Sequence, residues 1–416
     1  MPTYIGLLDC NNFFVSCERL FRPDLQRRPV VVLSSNDGCV VARSQEIKDK
    51  GIPMGVPYYQ VKDILSDIEA ELFSSHFALY RDISRRIFDL VRDQVDVFEQ
   101  YSIDEGFFLV RGDDPQKAAE VLKTDIERDV GIPVSVGVAA TKTQAKYANT
   151  TTKRQQGAWY MEPEVFTKQA AQLPLSALWG VGSGRSRAFT QHGLQTVADL
   201  STADPMTVRR LFGVEGARLQ FELRGKSAYP VKPHRVPQQS VMSSRSFRSP
   251  SCDWSVVQDA LAYHVRHAVS DLRAQEQVTG LVRVLLRANQ HGAYALRGGV
   301  RGIALSEPSN DTFVILRAAM TALADIWEPR VPYQKVGIIL SDLSSTAVAQ
   351  QPLFTTDGPP DRSAVLRTID TLNQRYGLDT IRLGSTLKEA LWQAKRDQLS
   401  PAYTTRWSDI PMVSAR

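Results

Sequence analysis

The chain has 416 residues, with 50 Lys and Arg against 45 Asp and Glu. That is too long for one ordinary core and implies two to four domains of a soluble globular protein, with no low-complexity tract or internal repeat. The first apolar run is short, has no basic region before it and stops at Asp9, which excludes a signal peptide or membrane span there.

Tyr4 to Leu8 reads as a buried strand ending on Asp9. Pro29 to Leu33 is a second apolar, β-branched strand, and Ser44 to Lys50 is helical, stopped by Gly51-Ile52-Pro53. Phe77, Tyr80, Ile83, Ile87, Leu90 and Val91 recur at helical spacing. Tyr101-Ser102-Ile103-Asp104-Glu105, followed by Gly106-Phe107-Phe108-Leu109-Val110, predicts two short strands about a tight bend. An amphipathic helix from about Pro115 to Val130 has Pro in its first turn and Gly131 just past its end. A strand at Val134 to Val138 and a helix capped by Thr141 follow. Strands alternating with helices around one hairpin predict a split βαβ, ferredoxin-like α/β domain, interrupted by residues of about 20–75 as a small inserted subdomain.

Acids at a hairpin bend are ordinarily solvated turn residues, and Asp9 is what changes that reading. Asp9, Asp104 and Glu105 at the ends of neighbouring strands predict a hard, oxygen-rich site suited to Mg²⁺. Such a site can hold two divalent ions roughly 3.5–4 Å apart and drive in-line phosphoryl transfer.

Beyond about residue 165 the pattern changes to short helices. Leu178-Trp179-Gly180-Val181-Gly182, with Arg185 and Arg187 close behind, fits a helix-hairpin-helix whose glycines let backbone N–H groups approach a DNA phosphate. A plain tight turn is the competing reading. Lys226 to Gln239 holds Pro230, Pro233 and Pro237 and reads as an extended linker. Ser240 to Leu343 mixes strands such as Leu281 to Arg287 with two helical segments. Basic residues alternate along that strand, which suits backbone contacts without base reading. Past about Ser344 the chain reads as an extended tail with one or two short helices.

Charge is divided unevenly. Residues 1–150 carry 18 basic against 23 acidic residues, 151–250 carry 14 against 6, and 251–416 carry 18 against 16. An acidic block followed by a basic one suits a metal site beside a polyanion track, although any single Arg here is as well explained by a solvated helix face. Cys10, Cys17, Cys39 and Cys252 show neither a C-x-x-C pair nor zinc spacing and fit reduced thiols of a cytoplasmic protein.

Asp9-Cys10-Asn11-Asn12-Phe13-Phe14, Ser16-Cys17-Glu18 and Tyr101-Ser102-Ile103-Asp104-Glu105 resemble the Y-family translesion DNA polymerases. Asn36-Asp37-Gly38-Cys39-Val40-Val41-Ala42-Arg43 and Leu399-Ser400-Pro401-Ala402-Tyr403-Thr404-Thr405-Arg406 are similar to the UmuC branch, the catalytic subunit of bacterial DNA polymerase V. The resemblance implies a multidomain α/β (α+β) enzyme. Its parts are a ferredoxin-like palm (1–19 and 76–165), fingers (20–75), a helical thumb with the helix-hairpin-helix (166–232) and a linker (233–239). A mixed α/β little finger (240–345) and a C-terminal tail (346–416) complete it. It further implies error-prone, template-directed nucleotidyl transfer in the SOS response to DNA damage, in the cytoplasm and on the nucleoid when active.

By the same resemblance, Asp9 and Asp104 bind two Mg²⁺ ions, with the backbone carbonyl of Cys10 as an extra ligand. Glu105 binds the catalytic ion and orients the primer 3′-hydroxyl. Phe14 falls at the steric gate, where a ring under the sugar excludes a 2′-hydroxyl. Phe13 beside it reads as a core aromatic on the substrate side. Polymerase V-type enzymes commonly carry Tyr at the gate, so Phe14 supplies the bulk without the hydroxyl. Family members often bind the triphosphate with Tyr and Arg three apart and a later Lys. Here Gln45 stands where the Tyr would be but is not assigned its work, Lys48 stands where the Arg would be, and Lys153 matches the later Lys; the two lysines give point charges without a guanidinium fork. Gly38 to Val41 forms the roof over the nascent base pair, and Val41 and Arg43 lie on the substrate side. Gln350-Gln351-Pro352-Leu353-Phe354 resembles a clamp-binding peptide, with Gln350, Leu353 and Phe354 as its contacts. The implied partners are primer–template DNA, deoxynucleoside triphosphate, a sliding clamp, a cleaved UmuD-type dimer and RecA. Two rivals share parts of this pattern. A palm-type nucleotide cyclase has no use for the basic block or the clamp peptide, and a DNA-binding scaffold has no need of three converging acids.

Overall fold

The structure is a computed structural model that describes residues 2–153, 157–233, 237–289, 294–347, 361–377, 380–382, 384 and 392–412. Gln350, Leu353 and Phe354 lie outside the described residues. Two compact units are present. One comprises Met1–Ser34, Gly38–Arg235 and Asp397–Arg416, the other Ser35–Asp37 and Val236–Arg396.

The first unit opens with β1 (Thr3–Cys10) and α1 (Phe13–Phe21). A small three-stranded sheet follows, built from β2 (Val30–Leu33), β3 (Val40–Arg43) and β4 (Glu71–Ser74) in the order β3-β2-β4. Helices α2 (Gln45–Asp49) and α3 (Tyr58–Asp67) pack on it around Val31, Leu33, Ile47, Val61 and Leu65. The chain continues through α4 (Phe77–Gln94), β5 (Phe98–Gln100), β6 (Glu105–Arg111), α5 (Pro115–Asp129), β7 (Val134–Ala139), α6 (Lys142–Thr152) and β8 (Ala158–Tyr160). The main sheet runs β5-β6-β1-β7-β8, antiparallel except for β7 with β8. Its first four strands have the ferredoxin-like order that the alternating pattern predicts.

Local chemistry explains the elements. Leu79, Tyr80, Ile83, Ile87 and Val91 form the buried stripe of α4. Asp114 caps α5 by accepting the Lys117 N–H at 2.9 Å, and Thr141 caps α6 by accepting that of Gln144 at 3.3 Å. Every residue of β7 is buried, as a strand covered on both faces requires. Gly137 on it is where α6 comes closest: a Cβ there would stand 2.3 Å from the Asn149 backbone nitrogen.

Helices α7 (Pro163–Ala170), α8 (Ser183–Gln191), α9 (Val197–Thr202) and α10 (Pro205–Leu223) complete the first unit. The stretch read as an extended linker begins pinned. Glu222, fully buried, accepts the N–H groups of Ala228 at 2.7 Å and Tyr229 at 3.0 Å, and Glu99 accepts that of Lys232 at 2.6 Å.

In the second unit, β9 (Ser240–Ser251), α11 (Trp254–Ala274), β10 (Gln277–Ala288), β11 (Gly298–Ser309), α12 (Thr312–Ile326) and β12 (Tyr333–Ser345) form a sheet β11-β10-β12-β9 with helices on one face. Val282, Val284 and Leu286 of β10 point into a core with Leu261 and Leu323. Their strand neighbours Arg283 and Arg287 therefore lie on the opposite face, where Arg287 pairs in register with Lys335. Helix α13 (Ser363–Tyr376) is fastened by Arg273, whose guanidinium donates to both Asp370 oxygens at 2.7 and 2.8 Å.

The stretch read as one tail is thus divided: α13 belongs to the second unit, whereas residues from 397 onward rejoin the first. There the Ser74 N–H donates to the Gln398 carbonyl at 2.9 Å, and the Tyr403 ring stacks on Phe21 with centroids 4.5 Å apart. No helix among the described residues is long and apolar enough to cross a membrane.

Candidate active site

Strands β1 and β6 place the acids. Their antiparallel register sets Asp9 opposite Glu105, and the Cys10 N–H donates to the Asp104 carbonyl at 2.9 Å. Ser102 holds the bend: its hydroxyl accepts the N–H groups of Asp104 (3.1 Å) and Glu105 (3.0 Å) and donates to the Asp104 carboxylate at 2.6 Å. The acids are therefore arranged as a facing pair, Asp9 and Glu105, with Asp104 turned to Ser102 beside them. Among the described residues no three His, Cys, Asp or Glu side chains converge into a ready-made metal cluster.

Two lysines complete the pair. Lys146 on α6 bonds Glu105 and stands 3.8 Å from Asp9, and Lys153 at the end of α6 bonds Asp9. Burial and the Asp9 carboxylate beside it push the Glu105 carboxyl up to about 7, against the pull of Lys146. Sequence reasoning named Lys153 as a triphosphate ligand, whereas here its ammonium bonds Asp9, and it did not name Lys146. The available signal was the seven-residue spacing, which puts both on one face of a helix. Burial, then the charges of Asp9 and Asp104, raise the Cys10 thiol well above its usual range, so it stays protonated.

An open cleft of about 160 Å³ adjoins the pair. Asp104, Cys10 and Lys153 line one side, and Val41, Arg43 and Lys48 line another. Phe13 and Phe14 contribute as well. Asn12, at φ 49° and ψ 43°, makes the left-handed turn from β1 into α1, a conformation that Asn tolerates. After that turn Phe13 is 3% exposed and packs in the core. Phe14 lies on the cleft with its ring stacked on Tyr80, centroids 4.5 Å apart and planes 13° apart. Lys48 donates to Asn12 Oδ1, and burial followed by the charges of Lys153 and Arg43 lowers its pKa. The Arg43 guanidinium is tied to the Ile52 carbonyl. Gln45 is absent from the cleft: its amide donates to Asp49 at 2.7 Å and it lines a separate cavity.

The glycine turn of the candidate DNA contact is formed as a turn. Gly180 has φ 81° and needs to be glycine, whereas Gly182 is extended at φ −77° and caps α8 without a side-chain bond. The element before it is a single 3₁₀ turn, Leu175–Ala177, rather than a full helix. Arg185 donates to the Gly180 carbonyl at 2.8 Å and so holds the turn, while Arg187 is exposed.

Residues 8–150 match the impB/mucB/samB family, and residues 238–353 match the C-terminal domain of that family. Residues 363–413 match a domain of unknown function. The chain is 35% identical to protein SamB of Salmonella typhimurium over 418 residues, 98% of each chain. It belongs to the impB/mucB/samB family. Protein UmuC of Salmonella typhimurium strain LT2 is 34% identical over 98% of this chain and 99% of its own. The UmuC-type resemblance thus runs the length of the chain. In fold, the family member described here is similar to a Y-family DNA polymerase chimera (Dbh-Dpo4(243-245)-Dbh) at TM-score 0.65 and 19% identity, covering 82% of this chain and 99% of that one. The mixed α/β, multidomain architecture expected from the sequence is the one found.

Proposed function

We propose that this protein is an error-prone translesion DNA polymerase of the UmuC type, acting on damaged primer–template DNA in the SOS response. The observation that carries the reading is the cleft. Asp104, three cationic side chains and the Phe14 ring stacked on Tyr80 line one cleft beside the facing pair of Asp9 and Glu105. In this reading the main sheet with α4 to α6 is the palm, the three-stranded sheet the fingers, α7 to α10 the thumb and the second unit the little finger.

The residues fit a hard divalent cation. All donors are oxygens, and the facing carboxylates already draw lysine ammonium groups to the same atoms. Asp9, Asp104, Glu105 and the Cys10 carbonyl would hold two Mg²⁺ ions, which supply charge neutralisation at the transferred phosphoryl group and activation of the primer 3′-hydroxyl. The chain's own side chains do the positioning. Lys48, Lys153 and Arg43 neutralise the triphosphate, and the Phe14 ring takes the space of a 2′-hydroxyl. Val41 and its small neighbours leave room for a damaged base.

DNA is held away from the chemistry by backbone contacts. Arg287 and Lys335 stand directly opposite each other on the open face of their sheet, an arrangement of like charges that costs stability unless a polyanion lies across it. Gly180, Gly182 and Arg187 give a second contact at the start of α8, with Arg185 as the brace of that turn. A cyclase has no use for either surface. A sliding clamp bound through Gln350, Leu353 and Phe354, a cleaved UmuD-type dimer and RecA are the further partners of this reading, in the cytoplasm and at the nucleoid.

Primer extension with Mg²⁺ tests it, with and without the accessory proteins. Glu105→Ala should abolish extension and leave primer–template binding nearly intact, since removing the charge costs several kcal/mol of transition-state stabilisation. Near-normal extension by that variant would sink the assignment.

A further inference from the structure

The C-terminal segment reaches the layer that supports Phe14. Tyr80 lies flat beneath the Phe14 ring, and its hydroxyl donates to Glu18 Oε1 at 2.6 Å. Glu18 is wholly buried and sits one turn after Phe14 on α1, so one helix carries both the ring and the anchor of its support. Ser400 Oγ lies 3.0 Å from His76 Nδ1, at the start of the helix that carries Tyr80. His76 in turn begins α4, where its carbonyl accepts the Tyr80 N–H at 3.1 Å. Ser400 and His76 are 6% and 8% exposed, so water does not substitute for these contacts.

A carboxyl group in a core is costly unless it is directional and satisfied. Burial pushes Glu18 up to about 7, while the hydroxyls of Tyr80 and Ser400 pull it down. A methyl or phenyl group would fill the same space at lower cost. What the acid adds is a fixed acceptor for the Tyr80 hydroxyl, hence a fixed plane for the ring on which Phe14 rests. The contact that holds His76, one turn before Tyr80, comes from more than three hundred residues away in the chain.

We propose that Glu18, Tyr80 and Ser400 are positioning residues for sugar selection: Glu18 holds the Tyr80 hydroxyl, the C-terminal segment holds His76 at the start of the Tyr80 helix, and together they fix the Tyr80 ring and, through it, Phe14 at the edge of the cleft. The proposal rests on Phe14 being the steric gate. It gives residues 398–403 a part in substrate choice, separate from any role in partner binding.

The test uses the full chain, with the same accessory proteins in every arm. It measures kcat/KM for a correct deoxynucleotide and for the matching ribonucleotide opposite one template base. Tyr80→Phe keeps the ring and drops only the hydroxyl, and Ser400→Ala drops the contact from the C-terminal segment. Each should lower the deoxy-over-ribo preference roughly 2–10-fold, the worth of one net hydrogen bond. Ser400→Thr, which keeps the hydroxyl, should restore it. Phe14→Ala should lower the preference most, and adding Tyr80→Phe to it should change nothing further, because both act through one ring. If Phe14→Ala leaves the preference unchanged, the gate reading fails and this proposal with it. If Phe14→Ala lowers the preference while Tyr80→Phe and Ser400→Ala retain it, the gate stands and the positioning chain is overturned. Equal losses for both sugars at constant preference overturn it too, since they report folding rather than placement.

Discussion

Lys146 occupies the position between two carboxylates that a metal ion would neutralise. With Lys153 it holds Asp9 and Glu105 together, although the side chains are only 5% and 17% exposed. Lys146→Met leaves that pair short of a partner, which should cost roughly 1–3 kcal/mol of stability without divalent metal. The more negative site should then gain more from Mg²⁺, so the rise in Tm on adding Mg²⁺ should be larger for the variant than for the parent. Equal rises would show that Lys146 does not share the cation's place. The acids were legible in the sequence because Asp9 lies at the end of one apolar strand and Asp104 and Glu105 stand at the bend that begins another. Lys146 was not, because a lone lysine on a polar helix looks like any solvated residue until the strand beneath it is known. Gln45 stands at the position where the family carries Tyr, but its amide is bound to Asp49 and it lies outside the cleft.

Helix α6 places both lysines, and Gly137 sets its distance from the sheet. Gly137→Ala would put a methyl group 2.3 Å from one backbone atom of α6 and 2.6 Å from another, the Ala145 carbonyl oxygen. Neither can swing aside, so the helix must move. The expected cost is about 1–3 kcal/mol in Tm-derived stability, with a raised KM for nucleotide as Lys153 shifts. Helix α11 carries a different sensitivity. Burial, then the charges of Arg245, His267 and Lys335, push His264 down to about 3, so it is neutral when folded. The unfolded chain binds that proton below about 6.5, so stability is full above that pH and falls as pH drops toward 3. Between pH 7 and pH 5 the loss is about 2 kcal/mol. Denaturant titration of the parent and of His264→Phe at both pH values checks this: the variant should lose less by about that amount. Elements with a strong period, α4, α5 and β10, were readable from spacing alone. The three-residue strand β8 and the docking of residues 397–412 were not, because their pairing partners lie far off in sequence.

For the molecule as a whole, the division of charge separates chemistry from grip. On the proposed reading, the acidic first 150 residues oppose tight unaided binding to DNA, and the basic residues that follow would supply backbone contacts. Affinity for duplex DNA should fall steeply with salt, with a log–log slope of about −0.9 per phosphate contact. Arg287→Ala with Lys335→Ala should make the slope shallower by about 1.8, equally for different sequences. Loss confined to one sequence would contradict backbone binding. Arg187 is a better further target than Arg185, since removing Arg185 also releases the Gly180 carbonyl. The fold class and the grouping of the three acids could be read from one sequence because they follow from strand ends and periodicity. The facing-pair arrangement and the pinned start of the linker depend on which strand and which carboxylate lie nearby, and no spacing encodes that.

The return of residues 397–412 to the first unit has a consequence for synthesis. About 160 residues separate this segment from Arg235, so the ribosome translates them over roughly 10–30 s while the first unit waits with Glu18 and His76 uncovered. During that interval the nascent chain already carries every acid of the site but not Ser400, Tyr403 or their neighbours. The catalytic half therefore matures only after the second unit has emerged. A chain cut short by stalling or proteolysis before Gln398 would be left permanently at that unfinished stage.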